Sequence, residues 1–164
     1  MINRKKCLYL LKKYDVKDNL LRHSLKVNEI SMFIGKKLKA KGEKIDLELL
    51  ECGSLLHDIG KRLGDKLQVD HIEAGVKILI KEKLNYIIPI LTKHYIGAVN
   101  ELRTWEEKIV YYADKRVMED VLVSLDERLK DLKKRYPWLK DIIKKSGPKI
   151  KRIEKEIFDK IEVF

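Results

Sequence analysis

Cysteine, proline and glutamine are scarce in this chain: its 164 residues include two, three and one of them. Cys7 and Cys52 are far apart in sequence and form no C-x-x-C pattern, so neither a disulfide framework nor a cysteine-ligated metal is expected. Both sit among apolar residues of predicted helices and read as buried free thiols. Asn-Gly and Asp-Gly dipeptides are absent and glycine is sparse, which argues against a hairpin-rich β architecture. No apolar run approaches the roughly 20 residues of a membrane span; the longest patch is Ile87 to Leu91. The basic start, Met1 to Lys6, is not followed by an apolar stretch or a small-residue cleavage site. No secretory signal is expected, and the predicted location is the cytoplasm, with no membrane partner.

Acidic residues are also in deficit. Lys and Arg number 37 against 26 Asp and Glu, a formal charge of +11. Two readings compete: attraction to phosphates, and a Lys- and Glu-rich surface of thermophile type. With 45% hydrophobic and 38% charged residues the chain is globular and not disordered.

Apolar residues recur at three- and four-residue spacing, so the expected class is all-α: one helical bundle over residues 1–164. A first helix is predicted over Arg4–Lys13, with Leu8, Leu11 and Cys7 inward. A second is capped by Asp18, carries Leu20, Val27, Ile34 and Leu38, and runs to Gly42. A third starts near Asp46, carries Leu49, Leu50, Leu56 and Ile59, and ends around Gly60 to Gly64. Asp70 with Glu73 reads as a capping box opening a fourth, with Val76, Leu79 and Ile80 inward. Pro89 fits the first turn of a fifth, ending near His94. Thr104 with Glu107 opens a long helix through Tyr111, Asp114 and Val117. Ser124 with Glu127 restarts it after a kink, and Pro137 ends it. Two further segments, Trp138 to Lys145 and Pro148 to Ile161, are predicted on either side of Ser146-Gly147-Pro148.

Residues 133–164 hold eleven Lys or Arg and five Asp or Glu, a net of +6 (11 − 5) in a basic helical extension. An Ile150, Ile153, Ile157, Ile161 stripe reads it as a solvated helix packed on the core, favoured over nucleic-acid binding.

The four histidines have unusual neighbours. His23 lies on the apolar second helix. His57 and Asp58 are adjacent in Leu55-Leu56-His57-Asp58-Ile59-Gly60-Lys61. Asp114 follows Val110-Tyr111-Tyr112-Ala113. An ionised Asp among apolar neighbours is costly to bury unless a cation meets it, and His nitrogen with carboxylate oxygen suits a divalent ion. Each signal is weak by itself. As a set, they fall on separate predicted helices that can converge at one point.

The order His23, His57-Asp58, Asp114 resembles the H…HD…D signature of the HD superfamily of metal-dependent phosphohydrolases, and His57-Asp58-Ile59-Gly60-Lys61 matches its H-D-I-G-K form. The resemblance covers about residues 20–116. It implies an all-α fold with the metal site at its centre, these four residues as ligands of one metal, and Asp58 able to bridge to a second. Two-metal members add two histidines in this interval, which here are His71 and His94. The stretches His71 to Gly75 and Glu107 to Asp114, with His23 followed by Val27, are similar to the bacterial symmetrical diadenosine tetraphosphate hydrolases. Lys115-Arg116-Val117 stands where that group carries a Pro-containing stretch.

The expected function is hydrolysis of a nucleotide or related phosphate ester or anhydride by a metal-activated water. Asp58 and Lys61 take the catalytic roles, Lys61 lying one turn past His57 to contact phosphate. Lys115 and Arg116 flank Asp114 as substrate-binding candidates, and Arg22 either holds substrate or forms an ion pair. Histidine-rich ligation favours Fe, Mn, Co, Ni or Zn over Mg or Ca. The expected partner is a small phosphate substrate, diadenosine polyphosphates ranking ahead of mononucleotides and cyclic dinucleotides; a homodimer stays open. Two rival functions remain: a di-iron oxygenase on the same fold, and a non-catalytic nucleotide or RNA sensor using the basic tail.

Overall fold

A computed structural model describes residues 2–162. Nine α-helices account for most of it: α1 (Arg4–Lys13), α2 (Asp18–Ala40), α3 (Leu47–Leu56), α4 (Lys61–Leu67), α5 (His71–Lys81), α6 (Ile88–Thr92), α7 (Trp105–Asp114), α8 (Leu125–Arg135) and α9 (Lys140–Phe158). Between α7 and α8 the two-residue strands β1 (Val117–Met118) and β2 (Val121–Leu122) form an antiparallel hairpin. The class is all-α, as expected.

The helix starts follow side-chain chemistry. Asp46 accepts from the Glu48 and Leu49 amides, and Asp70 from those of Ile72 and Glu73. Thr104/Glu107 and Ser124/Glu127 each form both bonds of a capping box. Asp70 caps alone, because Glu73 is spent on Lys77 one turn on. At α2 the cap position is Lys17 and not Asp18, which opens the helix with a left-handed φ of 55°, a region Asp tolerates.

Two apolar clusters form the core. One joins α2, α7, α8 and α9 through residues such as Val27, Ile34, Tyr112, Leu129 and Ile150. The other joins α1, α3 and α5 through Cys7, Leu10, Leu55, Ile78 and Leu79. Cys7 and Cys52 are buried free thiols. Leu8 and Ile80, expected inward, are exposed, and Leu20 is half-buried. Leu10 and Ile78 take the inward places beside Cys7, Leu11 and Leu79, which are buried as expected.

Three boundaries differ from the sequence reading. The third helix stops at Leu56, and Gly60 to Gly64 instead span a turn and the start of α4. The long helix through Val117 is interrupted by the hairpin. Glu119 supplies its tight turn with φ 59°, and Arg116 ties both arms through its carbonyl and its guanidinium to Val123. The two C-terminal segments are one helix with Pro148 inside. Pro148 offers no N–H to the Lys144 carbonyl, at about 3 kcal/mol. Burying Ile143, Ile150, Ile153 and Ile157 contributes roughly 1.5–3 kcal/mol each, which outweighs that cost.

Candidate metal centre

His57 and Asp58 occupy the turn that follows α3. His57 caps the helix, the Ile59 amide donates to the Leu56 carbonyl, and the Lys61 amide donates to the Asp58 carbonyl. The turn can be this tight because Gly60 has no side chain. A Cβ there would lie 2.0 Å from the His71 carbonyl oxygen and 2.3 Å from the Gly75 nitrogen. Gly60 thus lets the first turn of α5, with His71, press against the His57-Asp58 turn.

Three imidazoles are anchored by backbone carbonyls. Nδ1 of His57 donates to Ser54 at 2.7 Å, that of His94 to Leu91 at 2.5 Å, and that of His23 to Glu119 at 2.8 Å. A carbonyl only accepts, so Nδ1 carries a proton and each Nε2 faces the site as the atom that would bind a metal. The hairpin turn therefore has a purpose, since Glu119 orients His23 across 96 residues. Ser54 is itself held by Asn28 of α2.

These side chains converge. His23 Nε2 lies 3.0 Å from Asp114 Oδ1 and 3.8 Å from Asp58 Oδ2; His57 Nε2 lies 3.4 Å and 3.7 Å from the same Asp58 and Asp114 oxygens. The other Asp58 oxygen is 3.3 Å from His94 Nε2, and the rings of His71 and His94 are 5.6 Å apart. His23, His57 and Asp114 form one group whose ligand atoms lie within 4.8 Å of one another, and Asp58, His71 and His94 form a second. Ligands about 2.1 Å from a shared ion stand roughly 3.0–3.4 Å apart, close to what is observed. His57 Nε2 and Asp58 Oδ1 are buried without a hydrogen-bond partner, and Asp58 Oδ2 is met by the Lys61 ammonium at 2.6 Å; a metal cation would satisfy the two that are unpartnered. The donor set fits a divalent ion.

The electrostatics agree. Burial pushes the His57 imidazole down, but the Asp58 and Asp114 carboxylates outweigh it and raise it to about 10. Burial would raise both carboxyls; His57 and Lys61 hold Asp58, and Lys115 chiefly holds Asp114, well below the usual carboxylate range. The His71 imidazole is lowered by burial. For Lys61, the Asp58 charge overcomes burial and raises the ammonium.

Around this centre opens a cavity of about 730 Å³, lined by His23, Asp58, His71, His94 and Asp114. Lys61 lines it with Nζ 2.6 Å from Asp58 Oδ2. Lys115 lines it too, but its ammonium is buried and bound to Asp114 Oδ2 and the His94 carbonyl, both at 2.6 Å. It positions ligand candidates instead of reaching for substrate. Two further substrate-binding candidates lie away from the ligand groups. Arg116 turns away to Val123, Tyr112 and Glu154, because the hairpin and α9 need its donors. Arg22 is exposed, paired with Asp120 and outside the cavity. Sequence reasoning missed Arg62, Arg128, Arg135 and Tyr136, all of which line the cavity. The last three share one side of a helical wheel with 132, 139 and 142, although α8 ends at Arg135 and the backbone is not one helix across Pro137.

The HD domain family matches residues 20–119. The chain is 30% identical over 151 residues to an uncharacterized protein of Methanocaldococcus jannaschii, covering 83% of this chain and 84% of that one. It is also 30% identical over 145 residues to a tRNA (cytidine(56)-2'-O)-methyltransferase of Thermoplasma volcanium, covering 79% of this chain but 40% of that protein. Ribonuclease Y of Listeria welshimeri is 36% identical over 70 residues, 43% of this chain and 12% of that protein. No solved structure matches the chain significantly. Among the described residues no helix is long and apolar enough to cross a membrane. The matched segment holds every histidine and both buried aspartates of the centre, and the chain belongs to the HD domain family, generally one of metal-dependent hydrolases.

Proposed function

We propose that this protein is a metal-dependent phosphohydrolase acting on a phosphate ester or anhydride of a nucleotide, with His23, His57, Asp58 and Asp114 holding one divalent transition metal. His71 and His94 would hold a second across Asp58. The observation that carries the reading is Asp58, buried between two ligand groups with one oxygen toward each. Bound there, Fe, Mn, Co, Ni or Zn supplies Lewis acidity and activates water at neutral pH.

The chain's own residues do the rest. Lys61, held beside Asp58, is placed to meet the phosphate oxygens on which charge builds. Lys115 keeps Asp114 ionised and in place through its bonds to Asp114 and the His94 carbonyl. The anchored Nδ1 atoms keep three Nε2 atoms aimed inward, so the rings need little reorientation on loading. The excess positive charge attracts anionic substrate.

Among nucleotides, diadenosine polyphosphates come first from the motif likeness around His71 and Asp114, then mononucleotides and cyclic dinucleotides. The names of two relatives involve RNA, so strand ends belong in the same test. A metal-supplemented panel of these compounds, scored by product identity, checks the reading. Release of nucleotide or phosphate is expected. Cleavage of none, alongside metal-dependent oxygen uptake, would replace it with oxygenase chemistry.

A further inference from the structure

The family match ends at residue 119, yet the cavity does not. Opposite the ligand groups its wall is Arg128, Leu132 and Arg135 from α8, Tyr136 just beyond, and Leu139 and Ile142 at the turn into α9. This wall has two parts. Arg128 and Arg135 grip one carboxylate from adjacent turns: Arg128 donates to Asp131 Oδ2 at 2.8 Å and Arg135 to Oδ1 at 2.9 Å. A second carboxylate, Glu119, lies 4.0 Å from Arg135 and lines the same cavity, so the two guanidiniums are matched by two carboxylates. The guanidiniums still leave donors unspent, since Arg128 Nε is buried without a partner. Asp131 thus fixes a pre-organised pair of guanidiniums, the geometry suited to phosphate.

The second part is aromatic and apolar. Tyr136 meets Trp138 edge to face, ring centroids 5.6 Å apart. Trp138 is 74% exposed, high for a residue with so much apolar surface. Leu132, Leu139 and Ile142 flank the tyrosine along the wall. Tyr136 lines the same cavity as Lys61, Asp58, His71 and His94, so this patch and the ligand groups face one space. The cavity volume falls within the roughly 300–1,000 Å³ of small-ligand sites.

We propose that this C-terminal wall is a nucleotide subsite: Arg128 and Arg135 bind a phosphate adjoining the one at the metal centre, and Tyr136, with Trp138 at its edge, stacks the base. The inference rests on the phosphohydrolase reading for the position of the scissile phosphate. It assigns the ligand class as a nucleotide with at least two phosphoryl groups, either free or at the end of an RNA strand. The basic extension is then a specificity element and not merely a solvated helix.

The test reads binding without turnover. Trp105 is bonded to Glu43 and does not line the cavity, so Trp105→Phe leaves Trp138 as the reporter. In that full-length background, the α,β-methylene analogue of ADP should quench Trp138 fluorescence saturably. Arg128→Gln with Arg135→Gln should weaken this binding about ten-fold or more. Tyr136→Leu should weaken it about five-fold or more, and the Arg128→Lys, Arg135→Lys pair should retain part of the affinity. The AMP arm should bind more weakly than the ADP analogue and be less sensitive to the arginine changes. A 5'-phosphorylated pentaribonucleotide distinguishes the sources: tighter binding than the ADP analogue assigns a strand end, and weaker binding assigns a free nucleotide. Far-UV circular dichroism checks that each variant is folded. Folded variants that bind the analogue as the parent does would overturn the subsite, even if the protein hydrolyses phosphate esters. Arginine-dependent binding with no turnover on any phosphate ester would retain the subsite and remove the proposed reaction.

Discussion

The floor and the wall of the cavity are built by different physics. On the floor, His23, His57, Asp58, His94 and Asp114 are buried. Three imidazoles are pinned to carbonyls, and the aspartates are held ionised by surrounding cations. The wall of α8 and the following turn is half-exposed and positioned by ion pairs to Asp131. Buried polar groups without partners are expensive, so the floor tolerates few substitutions, and its residue types announce its chemistry. A half-exposed wall costs little to change. Reaction type should therefore reside in the floor and substrate choice in the wall.

The sharpest way to break this division is to cut the floor. His57→Ala or Asp114→Ala should lower kcat about a thousand-fold or more while circular dichroism stays helical. Retained turnover would place the chemistry elsewhere. Next is Gly60→Ala. The new methyl meets backbone at 2.0 Å and cannot be accommodated by a rotamer change. A loss of about 3 kcal/mol or more in urea unfolding is expected, at or beyond the top of the usual overpacking range. A loss below about 1 kcal/mol would mean that α5 is not seated as described.

The pH response sharpens the comparison, because only the floor couples charge to metal. In the metal-free protein the His57 imidazole is raised to about 10, above its unfolded value near 6.5. Its protonation stabilises the metal-free fold fully below about pH 6.5, and that contribution fades as pH rises towards 10. Metal must displace this proton, so affinity for Mn or Zn should increase with pH across the neutral range, with proton release on binding. Titration calorimetry in buffers of different ionisation enthalpy checks it; pH-independent binding would contradict it. The smallest effect belongs to the rim. Arg22→Ala removes an exposed ion pair and should change stability by less than about 1 kcal/mol and leave kcat/KM unaltered. A ten-fold loss in kcat/KM would return Arg22 to substrate binding.

Much of the floor could be read without coordinates. Asp58 and Asp114 stood out as carboxylates among apolar neighbours, and the caps at Asp46, Thr104 and Ser124 were visible from local side-chain chemistry. The hairpin was not, because its turn is Glu119-Asp120 with no glycine. Its stability comes from Arg116 and from the long-range bond of Glu119 to His23. Pro148 misled for a similar reason: a local rule about proline yields to isoleucine burial that only the tertiary fold supplies. The wall residues were not singled out, because nothing in sequence says that α8 and the turn after it look into the cavity; the basic run from residue 133, Arg135 included, was credited to a solvated helix.

The most direct test of the central claim is metal content. Protein loaded with Mn or Zn, desalted and analysed by elemental mass spectrometry, should hold about two ions per chain. His94→Ala should lose the ion near Asp58 and His71 and keep the other, whereas His57→Ala should lose the ion shared with His23 and Asp114. Wild-type protein without stoichiometric metal, or variants that both retain the full complement, would contradict the account.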